Sequence, residues 1–145
     1  MVFASIVDPR YRMTRFVVDA SAVLHLAGAG TEVSSAHQLL APTLLRSQTL
    51  STLHEDVQGG ELTADSARER LAYIGRLKIR LLGDAVLRRR AWDLATQLGW
   101  ASTYDAEYVA LTQLQADALV TMDAKLARRV EGIVATASID ALIRR

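Results

Sequence analysis

The run Phe16-Val17-Val18, closed by Asp19, constrains the chain's architecture more than any other feature. It is too brief for a helix, rich in β-branched residues and flanked by polar positions, which is the profile of a parallel strand buried on both faces. Ala118–Thr121 predicts a second buried strand, and Ile79–Leu82 and Ile133–Ala135 predict two further short ones. Helix-length segments lie between them. The sharpest is Asp84–Leu98, where Leu87, Ala91, Leu94, Ala95 and Leu98 form an apolar stripe and Gly99 supplies the stop. Thr63 or Asp65 opens an earlier helix that sets Ala67, Leu71 and Ile74 on one face. Pro42 reads as the first residue of a helix running to about Gln58, with Gly59-Gly60 just beyond its end. Helices are also predicted over Tyr104–Gln115 and Lys125–Val130, with a terminal helical turn over Ile139–Ile143, while Gly28 and Gly30 punctuate the segment after Asp19. Strands alternating with helices make an α/β fold with a mainly parallel sheet.

Composition narrows the classes. A chain of 145 residues is one ordinary domain, and 50% hydrophobic residues against 23% charged ones favour a packed core over disorder. Lys and Arg number 17 against 16 Asp and Glu, which disfavours non-specific coating of nucleic acid but leaves room for a site touching RNA at a few phosphates. The absence of cysteine excludes disulfides, a thiol nucleophile and a Cys-based zinc site, and suits a cytoplasmic protein. No apolar run approaches the roughly 18 residues of a membrane span. Met1–Arg15 has no apolar core of signal-peptide length. Residues 1–14 read as an N-terminal extension, with Met13 as an alternative start, and residues 15–145 as a single domain.

The chemistry lies in three aspartates. Asp19 ends the first strand, Asp123 lies two residues past Thr121, and Asp105 sits in the first turn of the helix after Gly99. In an open parallel sheet the carboxyl edge gathers strand ends from distant parts of the chain. Three carboxylates crowded there repel one another. A divalent cation removes that cost, and hard Mg²⁺ or Mn²⁺ prefers oxygen ligands and retains several waters. Such an ion activates water and stabilises charge on a phosphodiester, so the pattern points to a metal-dependent nuclease. Each aspartate alone has a plainer reading. Ser102-x-x-Asp105 is a capping-box pattern, Asp123 suits a helix N-cap, and Asp19 suits a solvated strand end. Their common edge is what favours the functional reading.

Four stretches then carry a family likeness: Phe-Val-Val-Asp-Ala-Ser-Ala-Val-Leu (16–24), Leu-Ala-Pro-Thr-Leu-Leu-Arg-Ser-Gln-Thr-Leu-Ser-Thr-Leu (40–53), Thr-Tyr-Asp-Ala-Glu-Tyr-Val-Ala-Leu (103–111) and Ala-Leu-Val-Thr-Met-Asp-Ala-Lys-Leu-Ala (118–127). In this order and spacing they resemble the PIN-domain family, specifically the VapC-type ribonuclease toxins of VapBC toxin–antitoxin systems. The resemblance implies a three-layer α/β/α fold around a mainly parallel sheet. It also implies Mg²⁺- or Mn²⁺-dependent cleavage of single-stranded or looped RNA, with Asp19, Asp105 and Asp123 as acidic ligands and Ser21 and Thr121 lining the pocket. A cognate VapB-type antitoxin presenting a basic side chain to the acids, and a homodimer, are implied in the same way.

One position departs from the family pattern. Gln48 stands where family members place a glutamate. Its carbonyl can hold a water or accept a bond, but it brings no charge to a metal and cannot act as a carboxylate base. Glu55, seven residues on, shares its helix face but lies about 10 Å further along. Weakened metal affinity and reduced or narrowed nuclease activity are therefore expected, and a PIN-like binding module without catalysis is the rival class. A phosphoryl-transfer domain is disfavoured by the lack of a Walker-type glycine run and of a second aspartate close after Asp19.

The remaining signals are weaker. Arg88-Arg89-Arg90 reads as a solvated face, whereas Arg128 and Arg129, on the helix after Asp123, are the better candidates for RNA contact. His25, His37 and His54 lack metal-ligand spacing. Trp92 and Trp100 suit packing more than base stacking, and Tyr104 and Tyr108 suit core or dimer contact. The Ala67/Leu71/Ile74 face serves core burial as well as it would serve a partner.

Overall fold

The computed structural model describes residues 13–143 of the chain. Five strands form one sheet: β1 (Thr14–Val18), β2 (His37–Pro42), β3 (Ile79–Leu82), β4 (Ala118–Val120) and β5 (Thr136–Ala137), in the spatial order β3-β2-β1-β4-β5. Every pairing among them is parallel, with Val17 opposite both Leu40 and Leu119. Six α-helices connect them: α1 (Ala20–Ala29), α2 (Leu44–Gln58), α3 (Ala64–Arg76), α4 (Ala85–Leu98), α5 (Tyr104–Gln115) and α6 (Ala124–Arg129). A 3₁₀ turn follows over Ile139–Leu142. Residues 1–12 of the expected N-terminal extension lie outside the described residues, and β1 already includes Thr14.

The strand order fixes the layers. The steps from β1 to β2 and from β2 to β3 run one way across the sheet. The chain then crosses back to β4 and on to β5 in the opposite sense. Right-handed crossovers put α1, α2 and α3 on one face and α4, α5 and α6 on the other. The packing agrees, since α1, α2 and α3 contact one another, while α4 lies along α5 and α5 touches β1, β2 and β4. This is the expected α/β/α sandwich. Val17, Val18, Leu40, Leu119 and Val120 are wholly buried, as short strands covered on both faces must be. Each such side chain contributes about 1.5–3 kcal/mol of burial free energy.

The structure corrects the sequence reading at three places. Pro42 ends strand β2 rather than opening a helix, and α2 begins at Leu44. Proline has no N–H to give the ladder, so it sits at the strand end and Thr43 N resumes the pairing by donating to Leu82 O at 3.0 Å. Helix α1 occupies the segment that two glycines punctuate. Only Gly30 is a stop, at φ 64°, the left-handed conformation that glycine takes without strain. The last strand is Thr136–Ala137, not Ile133–Ala135; Ala135 O still accepts from Leu119 N at 2.9 Å.

The sheet's direction reverses between β1 and β4. Helices leave these neighbouring strands toward opposite faces, which opens a crevice at their carboxyl ends. Asp19 follows β1, and Thr121 and Asp123 follow β4.

Candidate active site

Asp19 is the most deeply set acid, only 6% exposed. It is the N-cap of α1, with Oδ1 accepting from Ala22 N at 2.9 Å and from Ser21 Oγ at 2.7 Å. Its Oδ2 accepts from Thr121 Oγ1. Ser21 and Thr121 in turn tie the two strand ends together. Ser21 Oγ lies 3.3 Å from Thr121 Oγ1 and accepts from Met122 N at 2.8 Å, and Thr121 Oγ1 accepts from Asp123 N at 3.0 Å. The two small hydroxyls predicted to line the pocket thus orient the Asp19 carboxylate. Burial raises the pKa of Asp19, and the charge of Asp123 raises it further; the bonds from Ser21, Thr121 and Ala22 oppose both.

Asp123 is the N-cap of α6, the plainer of the readings its sequence position allowed. One oxygen, Oδ1, accepts from both Lys125 N at 2.9 Å and Leu126 N at 3.3 Å. Asp105 is not a cap. Thr103 precedes α5 without a side-chain capping bond, and Ser102 Oγ accepts from Tyr104 N at 3.2 Å. Asp105 Oδ2 instead accepts from Arg129 Nη1 at 3.4 Å, and the Arg129 guanidinium lies 4.1 Å from the centre of the Trp100 ring. Burial raises the Asp105 pKa, Arg129 lowers it, and Asp123 and Asp19 both raise it. Asp105 thus lies in the field of both other aspartates.

Gln48 is drawn in from the opposite side of the sandwich. Its Oε1 accepts from Tyr108 Oη at 2.6 Å. Of the two tyrosines expected at core or dimer contacts, Tyr108 is a core residue, 1% exposed, whereas its neighbour Tyr104 is 57% exposed. The Tyr108 pKa is raised by burial first and then by the charges of Asp19, Glu107 and Asp105, which places its hydroxyl in the field of the acidic cluster. The core placement expected of Tyr108 holds, but its bond to Gln48 and the nearby charge of Glu107 are what sequence reasoning missed here. The Glu107 pKa is likewise raised by burial and partly lowered by Arg88. Nothing in the spacing marks either one, because both depend on which face of α5 meets the sheet. Glu55 is exposed and accepts from Ser51 Oγ at 2.7 Å, so it does not stand in for a charge at position 48.

Of the basic candidates, Arg129 reaches Asp105, while Arg128 is exposed and makes no ion pair among the described residues. Arg88, Arg89 and Arg90 are exposed, as expected of a solvated face. Trp92, expected to pack, is 67% exposed. His37 packs edge-on against Phe16, far in sequence from any strand-end acid. Among the described residues no three carboxylate or imidazole side chains close into a ready-made metal cage, and no helix is long and apolar enough to cross a membrane.

No protein-family model matches the chain. A VapC ribonuclease of Mycobacterium bovis is 35% identical over 113 residues, covering 76% of this chain and 87% of that protein. Ribonuclease VapC9 of Mycobacterium tuberculosis matches to the same extent, 35% over 113 residues. Among solved structures, PAE2754 from Pyrobaculum aerophilum superposes with a TM-score of 0.69 at 22% identity, covering 90% of this chain and 93% of its own. Mycobacterium tuberculosis VapC20, a sarcin–ricin loop cleaving toxin, gives a TM-score of 0.56 at 16% identity over 78% of this chain and 93% of its own. VapBC-1 from nontypeable Haemophilus influenzae gives 0.56 at 14% identity over 88% of this chain and 99% of the matched one.

Proposed function

The chain belongs to the VapC family of PIN-domain ribonuclease toxins, and from that premise we propose that it is a metal-dependent endoribonuclease whose acidic site is Asp19, Asp105 and Asp123. The observation that carries this reading is the convergence of these acids where the strand order reverses: Thr121 bridges Asp19 and the Asp123 backbone, and Arg129 of α6 ties Asp105 to the same edge. The donors there are all oxygen: three carboxylates, the Gln48 carbonyl and the hydroxyls of Ser21 and Thr121. That set fits Mg²⁺ or Mn²⁺ better than zinc. Mg²⁺ commonly takes only one or two carboxylates directly and keeps its waters, so it does not require a closed protein cage. When bound, the cation supplies a water activated for attack and neutralises charge on the phosphodiester.

The chain's own residues then divide the work. Asp19, locked by three hydrogen bonds, anchors the site. Asp123 holds Oδ1 on the α6 backbone and keeps Oδ2 free of hydrogen bonds among the described residues. Asp105 supplies the third negative charge from the rim. Gln48, pinned by Tyr108, positions a water or the RNA through its amide. A VapB-type antitoxin presenting a basic side chain would silence the toxin by occupying the same acids, and assembly as a homodimer belongs to the same reading.

The neutral Gln48 favours a second reading, in which the domain binds antitoxin or RNA without cutting it. RNA cleavage in Mn²⁺ by the wild type, Asp19→Asn and Asp123→Asn separates the two. Loss of activity in both variants is expected. Cleavage surviving both substitutions refutes the site, and a wild type inert on varied RNAs favours the binding module.

A further inference from the structure

We propose that Arg129 is an exchangeable counter-ion, which neutralises Asp105 in the cation-free protein and is released on cation binding to grip a phosphate of the RNA. The inference rests on the metal-dependent reading above and adds a residue and an order of events to it. Arg129 is held at two points. Its Nη1 meets Asp105 Oδ2 at 3.4 Å, and its guanidinium lies over Trp100 at 4.1 Å. The pair is loose, with one long contact between side chains that remain 44% and 41% exposed. Ion pairs of this kind yield readily to a competing divalent charge.

The stack on Trp100 is a different kind of contact. It does not depend on Asp105, so it keeps the guanidinium beside the acids once the pair opens. A guanidinium has five N–H donors, and the pair with Asp105 uses one. The rest of the fork matches the bidentate geometry of a phosphate. The exposed Arg128 next to it has, among the described residues, neither the aromatic support nor the acidic partner. The structure thus distinguishes two arginines that the sequence left equivalent.

The test uses the full chain and three readouts. Titrated with Mn²⁺ alone and read by electron paramagnetic resonance of the free ion, Arg129→Ala should bind the metal up to about fivefold tighter than wild type, because the internal competitor is gone. In a Trp92→Phe background Trp100 is the only tryptophan. Its emission should change on addition of Mg²⁺, and the change should vanish when Arg129→Ala is added. With a mixed-sequence single-stranded RNA and saturating Mg²⁺, Arg129→Ala should lower kcat/KM by about tenfold to a hundredfold. It should also reduce the salt slope of log kcat/KM by about one phosphate contact. Arg129→Lys should restore the salt slope while recovering less of kcat/KM, since the ammonium lacks the fork. Equal Mn²⁺ affinity with and without Arg129, a Trp100 signal indifferent to Mg²⁺, or an unchanged salt slope overturns the exchange. Failure of every form to bind Mn²⁺ overturns the metal-dependent reading itself, a separate result.

Discussion

Restoring the charge at position 48 is the most informative single change. Tyr108 Oη already lies 2.6 Å from Gln48 Oε1, a distance typical of a hydroxyl donating to a carboxylate, so Gln48→Glu needs no movement of α2. Charge assistance roughly doubles such a bond, a gain of about 1 kcal/mol. Against it stands repulsion. Two unit charges on the order of 7 Å apart repel by about 2.4 kcal/mol at an effective dielectric near 20. Asp19 and Asp105 would both act on the new carboxylate, with the share of half-exposed Asp105 reduced by screening. The cation-free variant should therefore lose about 1–3 kcal/mol of stability, roughly 3–10 °C in melting temperature for a domain of this size. A divalent cation reverses the sign, because it attracts the same carboxylate with twice the charge. Released repulsion of about 1.4–2.8 kcal/mol corresponds to roughly tenfold to hundredfold tighter Mn²⁺ binding. Calorimetric titration with Mn²⁺ and thermal melts with and without the metal measure both quantities. An affinity within twofold of wild type, together with a melting shift that ignores the metal, would place residue 48 outside the cation's field and refute the reasoning.

Two further outcomes follow from the same geometry. Tyr108→Phe keeps the buried ring but removes the bond to Gln48, costing about 0.5–1.5 kcal/mol in urea unfolding and lowering kcat; in a cycle with Gln48→Ala the kcat losses should overlap, and simple additivity would show that the two side chains act separately. Burial raises the carboxyl pKa of Asp19, so the folded chain holds that proton to higher pH than the unfolded chain, whose aspartates titrate near ~3.9; stability is full below that value and falls as pH rises through the folded pKa. The cation-free melting temperature of Asp19→Asn relative to wild type should accordingly increase between pH 4 and pH 8, and a difference that is flat or shrinks with pH contradicts the buried charge.

What the sequence reveals and conceals follows from the range of the forces involved. Strands β1 and β4 are legible because burial on both faces leaves an apolar run, Phe16–Val18 and Ala118–Val120, with nothing polar to interrupt it, whereas edge strand β3 shows itself by Ile79, Leu81 and Leu82 around the exposed Arg80. Strand β2 is not, since its His37-Gln38 start is half-buried and its Pro42 end mimics a helix opening. Helix α4 is legible from its stripe and from Gly99, whereas α1 hides behind Gly28, a helical glycine that lies against the Arg70 guanidinium and does not end anything. At the site, Asp19 and Asp123 stand out because strand ends converge on one edge wherever the sheet is parallel. The Tyr108–Gln48 bond joins residues 60 positions apart, and the Arg129–Asp105 pair joins residues 24 apart. Both depend on how α5 settles between its neighbours, and no local pattern records that.

The plain and the functional readings of the acids are compatible, and their overlap explains where the site is able to adjust. Asp19 and Asp123 each cap a helix, so backbone N–H groups and the positive ends of α1 and α6 hold their charges in place. Asp19 has both oxygens engaged, and Asp123 has one. Neither carboxylate can swing without undoing a helix start. Asp105 caps nothing, is half exposed, and among the described residues its side chain bonds only to the half-exposed Arg129. Adding a positive charge to this crevice therefore leaves two acids where they are and acts on the third. Whether that charge is Arg129, a cation or the basic residue of an antitoxin, Asp105 is where the exchange costs least. A substitution that anchors Asp105, by contrast, should impair the toxin even though every acid remains.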